Sequence, residues 1–292
     1  MAVGGLLALA CIAAPERRAQ WDLMKSNFGT RWEGQTRWFK PSARGGLEPS
    51  APPMRSVYQL EFPSATPELG AWRGWSVIEP GDTRVVPLAE ATVMERTAGS
   101  TTFQFAGAGG RVSLRTDGDG WGCEVNFFHA RRRSGLCAFY GAGGELRGAM
   151  SMRFRAAPIS RDGNGTFVGG GEYTVDHAAD PIVADAAPAS APPVLRASAC
   201  ARALSLAPPA YAITPSAPAR ATEDWSDTRD ESLVVAGFAD GVWLRAPRVL
   251  SSDSAVSIGC DFRAVGGPFR AVGLLFSDAE FAGVTCHDFA RS

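Results

Sequence analysis

Strict two-residue alternation is the feature of this chain that most restricts its fold. In residues 29–39 (GTRWEGQTRWF) every second residue from Arg31 to Arg37 has a charged or amide side chain, and the residues between them form a second set that includes two Trp. Successive side chains of a β-strand point to opposite faces of a sheet, so the pattern predicts a half-buried strand. A helix would instead place its apolar residues three or four positions apart. The residues on the shared face are Trp32, Gly34, Thr36 and Trp38.

Strand-like segments recur along the chain, and turn-forming residues separate them. The 33 Gly and 20 Pro residues fall mainly between the apolar runs. Short strands at intervals of roughly 8 to 12 residues are typical of a sandwich or a barrel. We therefore predict an all-β, antiparallel protein with one short helix at 15–27, which Asn27 and Gly29 end. The predicted strands include 29–39, 56–62, 72–78, 92–95, 101–105, 111–116, three within 123–154, 166–175, 233–238, 242–245, 255–263, 269–276 and 283–289.

Gly- and Pro-rich stretches predict the division of the chain. The segment PISRDGNG at 158–165 predicts a boundary between a first β-barrel at 15–157 and a second at 158–292. The second barrel is expected to be smaller, because Ala/Pro-rich loops such as 178–193 interrupt it and cannot pack a core. Residues 1–14 have two interpretations, a remnant of a targeting peptide or a lead-in to the helix.

The charge balance and the length of the apolar runs each exclude one possibility, a nucleic-acid partner and a membrane span. Lys and Arg total 29 and Asp and Glu total 30, which gives a formal net charge of −1. A nearly neutral chain has no long-range field to attract nucleic acid, so we expect no nucleic-acid partner. No apolar run approaches the roughly 20 residues that a membrane-spanning helix needs, so we predict no membrane span.

The six cysteines contain no C-x-x-C pair, so a zinc or redox motif is not expected. Cys123 and Cys137 lie on neighbouring predicted strands, and Cys260 and Cys286 are placed similarly. Either pair allows a disulfide in an oxidising compartment. The favoured alternative is that the thiols are reduced and pack as small hydrophobic groups.

The three histidines give no sign of a metal or catalytic centre. His129, His177 and His287 do not stand at metal-ligand spacings, and none lies in a nucleophile motif. His287 beside Asp288 has the arrangement of an oriented base, but an ordinary histidine at a strand end is the favoured interpretation. We expect no metal and no cofactor, and we assign no catalytic residue.

Several segments resemble an uncharacterised two-domain lipocalin-like (calycin) family of cyanobacteria, algae and plant plastids. QWDLMKSNFGTRWEGQTRWF at 20–39 is similar to that family's Trp-rich helix, Asn-x-Gly turn and Trp-x-Gly strand. EVNFFHARRRSGLCAFYGAGGELRGAMSMRF at 124–154 is similar to its paired-Arg strand, Gly turn and closing Arg. DGVWLRAPRVL at 240–250 and the segment 269–289 are similar to its C-terminal strands.

The resemblance implies a pair of lipocalin-like β-barrels but no established reaction. It implies a plastid location, with a cytoplasmic one as the alternative. In lipocalins generally, a Trp of the first strand packs under an Arg of the last strand. Trp32 and Arg153 are the matching positions of this chain.

Aromatic side chains give the functional hint. A barrel of about eight strands is either filled by side chains or holds one small ligand, and the sequence leaves these alternatives even. An aromatic wall suits a flat, conjugated or long-chain apolar ligand. The expected ligand-binding residues are Trp32, Trp38, Tyr58, Phe62, Phe105, Phe127, Arg132, Tyr140 and Arg153.

The run Arg131-Arg132-Arg133 is the strongest charged feature. Three consecutive strand residues cannot all face one way, so we expect one of them, Arg132, to point inward and contact an acidic group of the ligand. The alternative is a solvated edge that docks an acidic protein partner.

Three functional hypotheses follow. The first is non-enzymatic binding of a hydrophobic small molecule, such as a pigment, lipid or tetrapyrrole, in the first barrel. The second is an isomerase or lyase-type enzyme that acts on such a molecule. The third is a protein-docking scaffold with filled barrels.

Overall fold

A computed structural model describes residues 14–43, 45–76, 84–94, 100–114, 120–157, 194–196, 200–207, 212–216, 222–225, 230–251, 253–277 and 280–289. The helices are α1 (Ala14–Phe28) and α2 (Glu90–Val93), and 3₁₀ turns lie at Ala239–Gly241 and Arg263–Val265. The first ten strands are β1 (Arg31–Pro41), β2 (Leu47–Pro49), β3 (Met54–Glu61), β4 (Leu69–Ser76), β5 (Arg84–Ala89), β6 (Ser100–Phe105), β7 (Ala108–Leu114), β8 (Trp121–His129), β9 (Arg132–Tyr140) and β10 (Leu146–Ala157). The others are β11 (Val194–Arg196), β12 (Cys200–Leu206), β13 (Ile213–Pro215), β14 (Thr222–Asp224), β15 (Leu233–Gly237), β16 (Val242–Pro247), β17 (Ala255–Asp261), β18 (Phe269–Ser277) and β19 (Glu280–Phe289).

The strands form two large sheets in which neighbouring strands are antiparallel. The first sheet has the order β5-β4-β3-β1-β10-β9-β8-β7-β6, and β2 pairs with β1. The second has the order β13-β12-β19-β18-β17-β16-β15, and β11 pairs with β14 in a separate small sheet. The predictions of an all-β antiparallel protein and of an N-terminal helix are confirmed. Within the described ranges no ladder joins the end strands of either sheet, so lipocalin-like closure stays a prediction.

Strand register gives the first sheet two distinct faces. Phe154 of β10 lies between Gly34 of β1 and Arg133 of β9. Alternation therefore places Trp32, Phe154 and Arg133 on one side, which we call the helix face because α1 covers it. The opposite side carries Phe127 and Leu136, and we call it the inter-sheet face.

Helix α1 fills the space in front of the helix face. Pro15 and Glu16 suit its first turn, and Lys25 suits its last. Its Trp21 is fully buried, and the Trp21 ring makes an edge contact with Phe62 at 5.2 Å between ring centres. Burying one large apolar side chain stabilises a fold by about 1.5–3 kcal/mol.

Buried amide side chains fasten α1 to the hairpin of β6 and β7. The Nδ2 group of Asn27 donates to the Phe105 carbonyl at 2.8 Å and to Gln104 Oε1 at 3.0 Å. The Gln104 backbone N–H donates to Gln20 Oε1 at 2.7 Å, and Gln20 Nε2 donates back to the Gln104 carbonyl at 3.1 Å. Because a buried amide is stable only when it is hydrogen-bonded, this network fixes the position of the helix. The sequence pattern identified Asn27 only as a helix terminator.

The predicted strand at 92–95 is wrong, because this region begins with the short helix α2. The Glu90 carboxylate at its start accepts from Arg17 at 3.4 Å and from Arg18 at 3.0 Å, both in α1. The Glu90 backbone N–H also donates to the Glu68 carbonyl at 2.8 Å. These tertiary contacts override the weak strand preference of the segment.

The inter-sheet face packs against the second sheet in one hydrophobic core. Both sheets contribute fully buried residues, so each sheet covers an apolar face of the other. Polar contacts cross the same boundary, because the Tyr140 hydroxyl donates to the Pro247 carbonyl at 3.1 Å. Burial raises the pKa of Tyr140 above its usual range, so this hydroxyl keeps its proton. The buried members of the shared core include Phe103, Phe105, Phe127 and Leu136 of the first sheet and Val256, Ile258, Val272 and Leu274 of the second.

The predicted domain boundary at 157/158 stays a prediction, because residues 158–193 lie outside the described residues. The tract at 178–193 and the predicted strand at 166–175 lie outside the described residues, as do residues 1–13. No helix within the described ranges is long and apolar enough to cross a membrane.

The cysteine pairs considered as disulfides do not meet. Glu124, rather than Cys123, faces Cys137 in the β8–β9 ladder, so the two thiols point to opposite faces. Cys260 and Cys286 share a face, but β18 lies between their strands. The disulfide alternatives are therefore wrong, and the five described cysteines are free thiols.

The shared core predicts that the two sheets unfold together. Ile258→Ala should lower the free energy of unfolding by about 2–5 kcal/mol, because it leaves a cavity between the sheets. Hydrogen exchange measured on peptides of β8 and β9 should then lose protection together with β17. The control is Ser257→Ala, which changes the opposite face. Unchanged protection of β8 and β9 would contradict the shared core.

A buried thiol predicts a pH dependence of stability. Burial raises the pKa of Cys123 to about 12, whereas the unfolded thiol titrates near 9. The unfolded state therefore loses a proton first, and stability that is present below pH 9 is lost as the pH rises towards 12. Between pH 8 and pH 10, the free energy of unfolding, measured by urea titration, should fall by about 1 kcal/mol more in the wild type than in Cys123→Ala. The same change of stability with pH in the wild type and in Cys123→Ala would contradict this prediction.

Candidate functional site

The predicted lining residues do not share one cavity. Trp32, Tyr58 and Phe62 lie together on the helix face, and Trp32 faces Tyr58 in the β1–β3 ladder. The Tyr58 ring lies 4.8 Å from the Phe154 ring. Because α1 packs against these side chains, this part of the predicted wall is a filled core.

Phe105, Phe127 and Tyr140 lie in the inter-sheet core, and each is fully buried. The expectation that Phe127 lines a cavity together with Trp32 is wrong, because these residues occupy opposite faces of the first sheet. The residue of β8 that does contact Trp32 is Phe128, at 5.6 Å between ring centres. The pair Phe127-Phe128 is thus divided between two cores.

Trp38 is 39 % exposed and does not belong to either core. Its ring stacks on that of Phe139 at 5.3 Å, with only 19° between the planes. This stacked pair makes a partly exposed aromatic surface on the first sheet. It does not enclose a space with the other predicted residues.

A two-residue turn decides which arginine points inward. Ala130 and Arg131 connect β8 to β9 with φ values of 46° and 64°, and His129 pairs with Arg132. Phe128 then pairs with Arg133, so the Arg133 side chain lies on the helix face. The expectation that Arg132 is the inward arginine is wrong, because Arg132 is only half-buried and points the other way.

The Arg133 guanidinium is buried among aromatic rings, with 4 % of the residue exposed. Cation–π contacts of this kind contribute about 0.5–2 kcal/mol each. Burial lowers the pKa of Arg133 to about 9, so the group still carries its charge at pH 7. Its Cζ atom lies 4.5 Å from the ring centre of Tyr58, 5.0 Å from that of Phe28 and 5.3 Å from that of Phe154.

The polar contacts of Arg133 only partly compensate its charge. Its Nε donates to Asn126 Oδ1 at 2.8 Å, and its Nη2 lies 3.5 Å from Glu124 Oε1. The Glu124 side chain is 37 % exposed, so solvent weakens this ion pair. Within the described residues, Arg133 Nη1 and the Tyr58 hydroxyl have no hydrogen-bond partner. The helix face therefore holds a charged group in an otherwise apolar core.

Arg153 lies on the opposite face from Trp32. Trp32 pairs with Ala156 in the β1–β10 ladder, and Arg153 pairs with Gln35. The expected packing of Trp32 under Arg153 is therefore wrong, and Arg133 is the arginine on the side of Trp32. Arg153 is 5 % exposed, so it is nevertheless a buried charge.

Arg153 lines a cavity between the two sheets, which we call the inter-sheet pocket. Its volume is about 300 Å³. The pocket begins where the shared core ends, at an edge contact between Phe39 and Phe238 with 4.8 Å between ring centres. Its principal lining residues are Arg37, Phe39, Leu47, Ser151, Arg153 and Phe238.

The inter-sheet pocket combines two like charges with an apolar wall. Arg37 pairs with Ser151 and Gln35 pairs with Arg153, so the two arginines are diagonal neighbours on one face. Diagonal neighbours on antiparallel strands lie roughly 7–8 Å apart. Each arginine also interacts with another group of the protein. A carboxylate in the pocket would reduce their mutual repulsion and accept hydrogen bonds from the planar guanidinium groups.

The titratable residues considered for catalysis do not converge. Alternation places Glu124 on the helix face and His129 towards the second sheet, where it contacts Phe262 at 5.2 Å between ring centres. His287 and Asp288 are also on opposite faces, and Asp288 is paired with Arg270 and Arg202. No group of three metal-ligating side chains occurs in the described ranges.

Comparisons with known proteins support the fold. No protein-family model and no curated protein matches the sequence. The chain is similar to the crystal structure of a protein of unknown function from the DUF3598 family of Nostoc punctiforme, with a TM-score of 0.61 and 16 % identity over 94 % of this chain and 99 % of that chain. At this identity the likeness shows the fold alone. Its cyanobacterial source is consistent with the resemblance found in the sequence.

A second structural match is much weaker. It is an S-type phycobiliprotein lyase from Guillardia theta, with a TM-score of 0.27 and 12 % identity over 50 % of this chain and 97 % of that chain. A TM-score this low carries no argument about function. The lipocalin-like assignment accordingly stays a prediction.

Substitutions of Arg133 and Arg132 should have different effects on stability, because only Arg133 lies in the core of the helix face. We expect Arg133→Met to lower the free energy of unfolding by about 1–3 kcal/mol, because Asn126 Oδ1 stays buried without its donor. The control Arg132→Met should change stability by less than about 0.5 kcal/mol. Urea unfolding measures both values. A larger loss in the control would contradict the assignment of Arg133 to the core.

Proposed function

We propose that this chain binds, without catalysing a reaction, an apolar small molecule that carries a carboxylate. The binding site is the inter-sheet pocket, and the supporting observation is that Arg37 and Arg153 lie beside Phe39, Leu47 and Phe238. A site of this composition recognises an acid by its charge and the rest of the molecule by apolar contact. The proposal keeps the ligand class expected from the sequence and moves the site away from the filled helix face.

The size of the pocket narrows the ligand class. Small-molecule sites usually have volumes of about 300–1,000 Å³, so a cavity of about 300 Å³ is at the lower limit. Among the pigments, lipids and tetrapyrroles considered, this volume favours a lipid-like acid with one acyl chain. A plastid location belongs to the same proposal, and imaging of a fluorescent-protein fusion would test it.

A docking scaffold is the second candidate, because α1 fills the helix face as that hypothesis expects. Arg131, which is exposed at the β8–β9 turn, and the half-buried Arg132 would then contact an acidic protein. In that case the inter-sheet pocket would have no ligand. A ligand titration therefore distinguishes the two candidates.

The test compares dodecanoic acid with dodecanol by isothermal titration calorimetry on the full chain. We expect the acid to bind at least about tenfold more tightly than the alcohol, because only the acid carries a negative charge that pairs with the arginines. Arg37→Gln should weaken binding of the acid by about tenfold. Arg37 is half-buried whereas Arg153 is buried, so we choose the Arg37 variant because it should fold.

Two further variants complete the test. Ala239→Phe should block the pocket without changing its charge, and it should abolish binding of both probes. Arg111→Gln, at an exposed arginine on β7, should bind the acid as the wild type does. Equal affinity for the acid and the alcohol, or unchanged binding in Ala239→Phe, would refute the proposal.

A further inference from the structure

The second sheet has a concave surface on the side that faces away from the shared core. Arg245 faces Ser257 in the β16–β17 ladder, Ser257 faces Gly273, and Gly273 faces Thr285 of β19. These four residues therefore form one row across four strands. At about 4.8 Å between strands, the row is about 14 Å long.

Small side chains leave space above this row. Ala271 and His287 belong to the next row on the same face, whereas the rings of Phe269 and Trp225 cover Gly259 in that row. The adjoining cavity has a volume of about 1190 Å³, and we call it the second-sheet hollow. Large residues such as Ile258 and Val272 occupy the alternate positions and point into the shared core instead. On the helix face of the first sheet, α1 packs against the aromatic side chains instead.

The floor of the second-sheet hollow carries polar groups without protein partners. Within the described residues, the side chains of Arg245, Ser257 and Thr285 make no hydrogen bond or ion pair. Arg248 at the rim differs, because its Nε donates to the Glu231 carbonyl at 2.8 Å. The carboxylates of Asp230 and Asp253 also line the hollow, but neither pairs with Arg245. A half-buried guanidinium that has no ion pair of its own is a ready partner for an anionic group.

One end of the second-sheet hollow is aromatic. Trp225 and Phe269 make an edge contact at 5.9 Å between ring centres, and Phe269 contacts Phe289 at 6.4 Å. Ala271 belongs both to this aromatic cluster and to the lining of the hollow. The space therefore offers a cation and hydroxyl groups on its floor and an apolar surface at its end.

We propose that the second-sheet hollow is a separate binding site for a large, planar amphipathic acid. The anionic group of the ligand bonds to Arg245, and its other polar atoms bond to Ser257 and Thr285. The small side chains of Gly273 and Ala271 let a flat ring system lie in van der Waals contact with the sheet, because no larger side chain stands between them. The site is four times the volume of the inter-sheet pocket and lies on the opposite side of the second sheet.

The test uses protoporphyrin IX, a planar dicarboxylic acid, and its neutral dimethyl ester as probes for the full chain. Fluorescence titration should show saturable binding of the acid, and binding of the ester should be at least about tenfold weaker. Arg245→Gln should weaken binding of the acid by about tenfold. Arg147→Gln, at an exposed arginine of the first sheet, is the matched control and should bind as the wild type does.

A steric variant tests the same site independently of charge. A Cβ atom at Gly273 would approach only side-chain atoms, Thr285 Oγ1 at 2.9 Å and Ser257 Oγ at 4.0 Å, so Gly273→Val should fold and fill part of the floor. We expect it to weaken binding of the acid at least about tenfold. Lack of saturable binding by the wild type, or wild-type affinity in both Arg245→Gln and Gly273→Val, would overturn the inference.

The two sites can fail independently of each other. Ala239→Phe blocks the inter-sheet pocket and should leave protoporphyrin binding unchanged, whereas Gly273→Val should leave dodecanoic acid binding unchanged. If Ala239→Phe abolishes protoporphyrin binding, the planar acid does not bind in the second-sheet hollow and the inference is wrong. The proposal for the inter-sheet pocket would stand in that case.

Discussion

Burial of one face of each sheet against the other is the interaction on which the rest of this structure depends. Because strand side chains alternate, a residue such as Phe127 enters the shared core only if its neighbours Asn126 and Phe128 leave it. The first sheet is buried on both faces, by α1 on one and by the second sheet on the other. Its polar residues must therefore find partners inside the protein or lie beside a cavity.

The buried arginines show how this requirement is met in two ways. Arg133 is surrounded by three aromatic rings and bonded to Asn126, so its charge is held mainly by a packed environment. Arg153 is equally buried but lies beside the inter-sheet pocket, close to Arg37. A charge that has room beside it can contact a ligand, whereas a charge enclosed by rings mainly supports the fold. This difference is the reason why we propose the pocket, rather than the helix face, as the ligand site.

The outer faces of the two sheets differ because of side-chain size and because of what covers them. On the helix face, Trp21 and the aromatic residues of β1 and β3 fill the available volume. On the second sheet, Gly, Ala, Ser and Thr occupy corresponding strand positions and leave the second-sheet hollow. Large side chains thus fill the helix face of the first sheet, and small ones leave the hollow on the outer face of the second sheet.

Much of the fold could be predicted from the sequence by itself. Alternation at 29–39 and 255–263, together with the Gly-rich turns, determined antiparallel strands. The regular spacing of these strands determined the all-β class, and the segment at 15–27 determined the N-terminal helix. These features are local, because the alternation of side chains and the conformations of turn residues depend on only a few neighbouring residues. The strand predicted at 92–95 is wrong because distant arginines of α1 hold Glu90 at the start of a helix.

The candidate sites were decided by tertiary structure. A register shift between Leu146 and Gly148 places Leu146 in the shared core while Phe154 lies on the helix face, although even spacing predicts one face for both. The two-residue turn before β9 similarly makes Arg133, and not Arg132, the inward arginine. The sequence determined that residues alternate, but which alternate set faces a core, a helix or a cavity depends on strand pairing and sheet packing, because a one-residue shift exchanges the two faces.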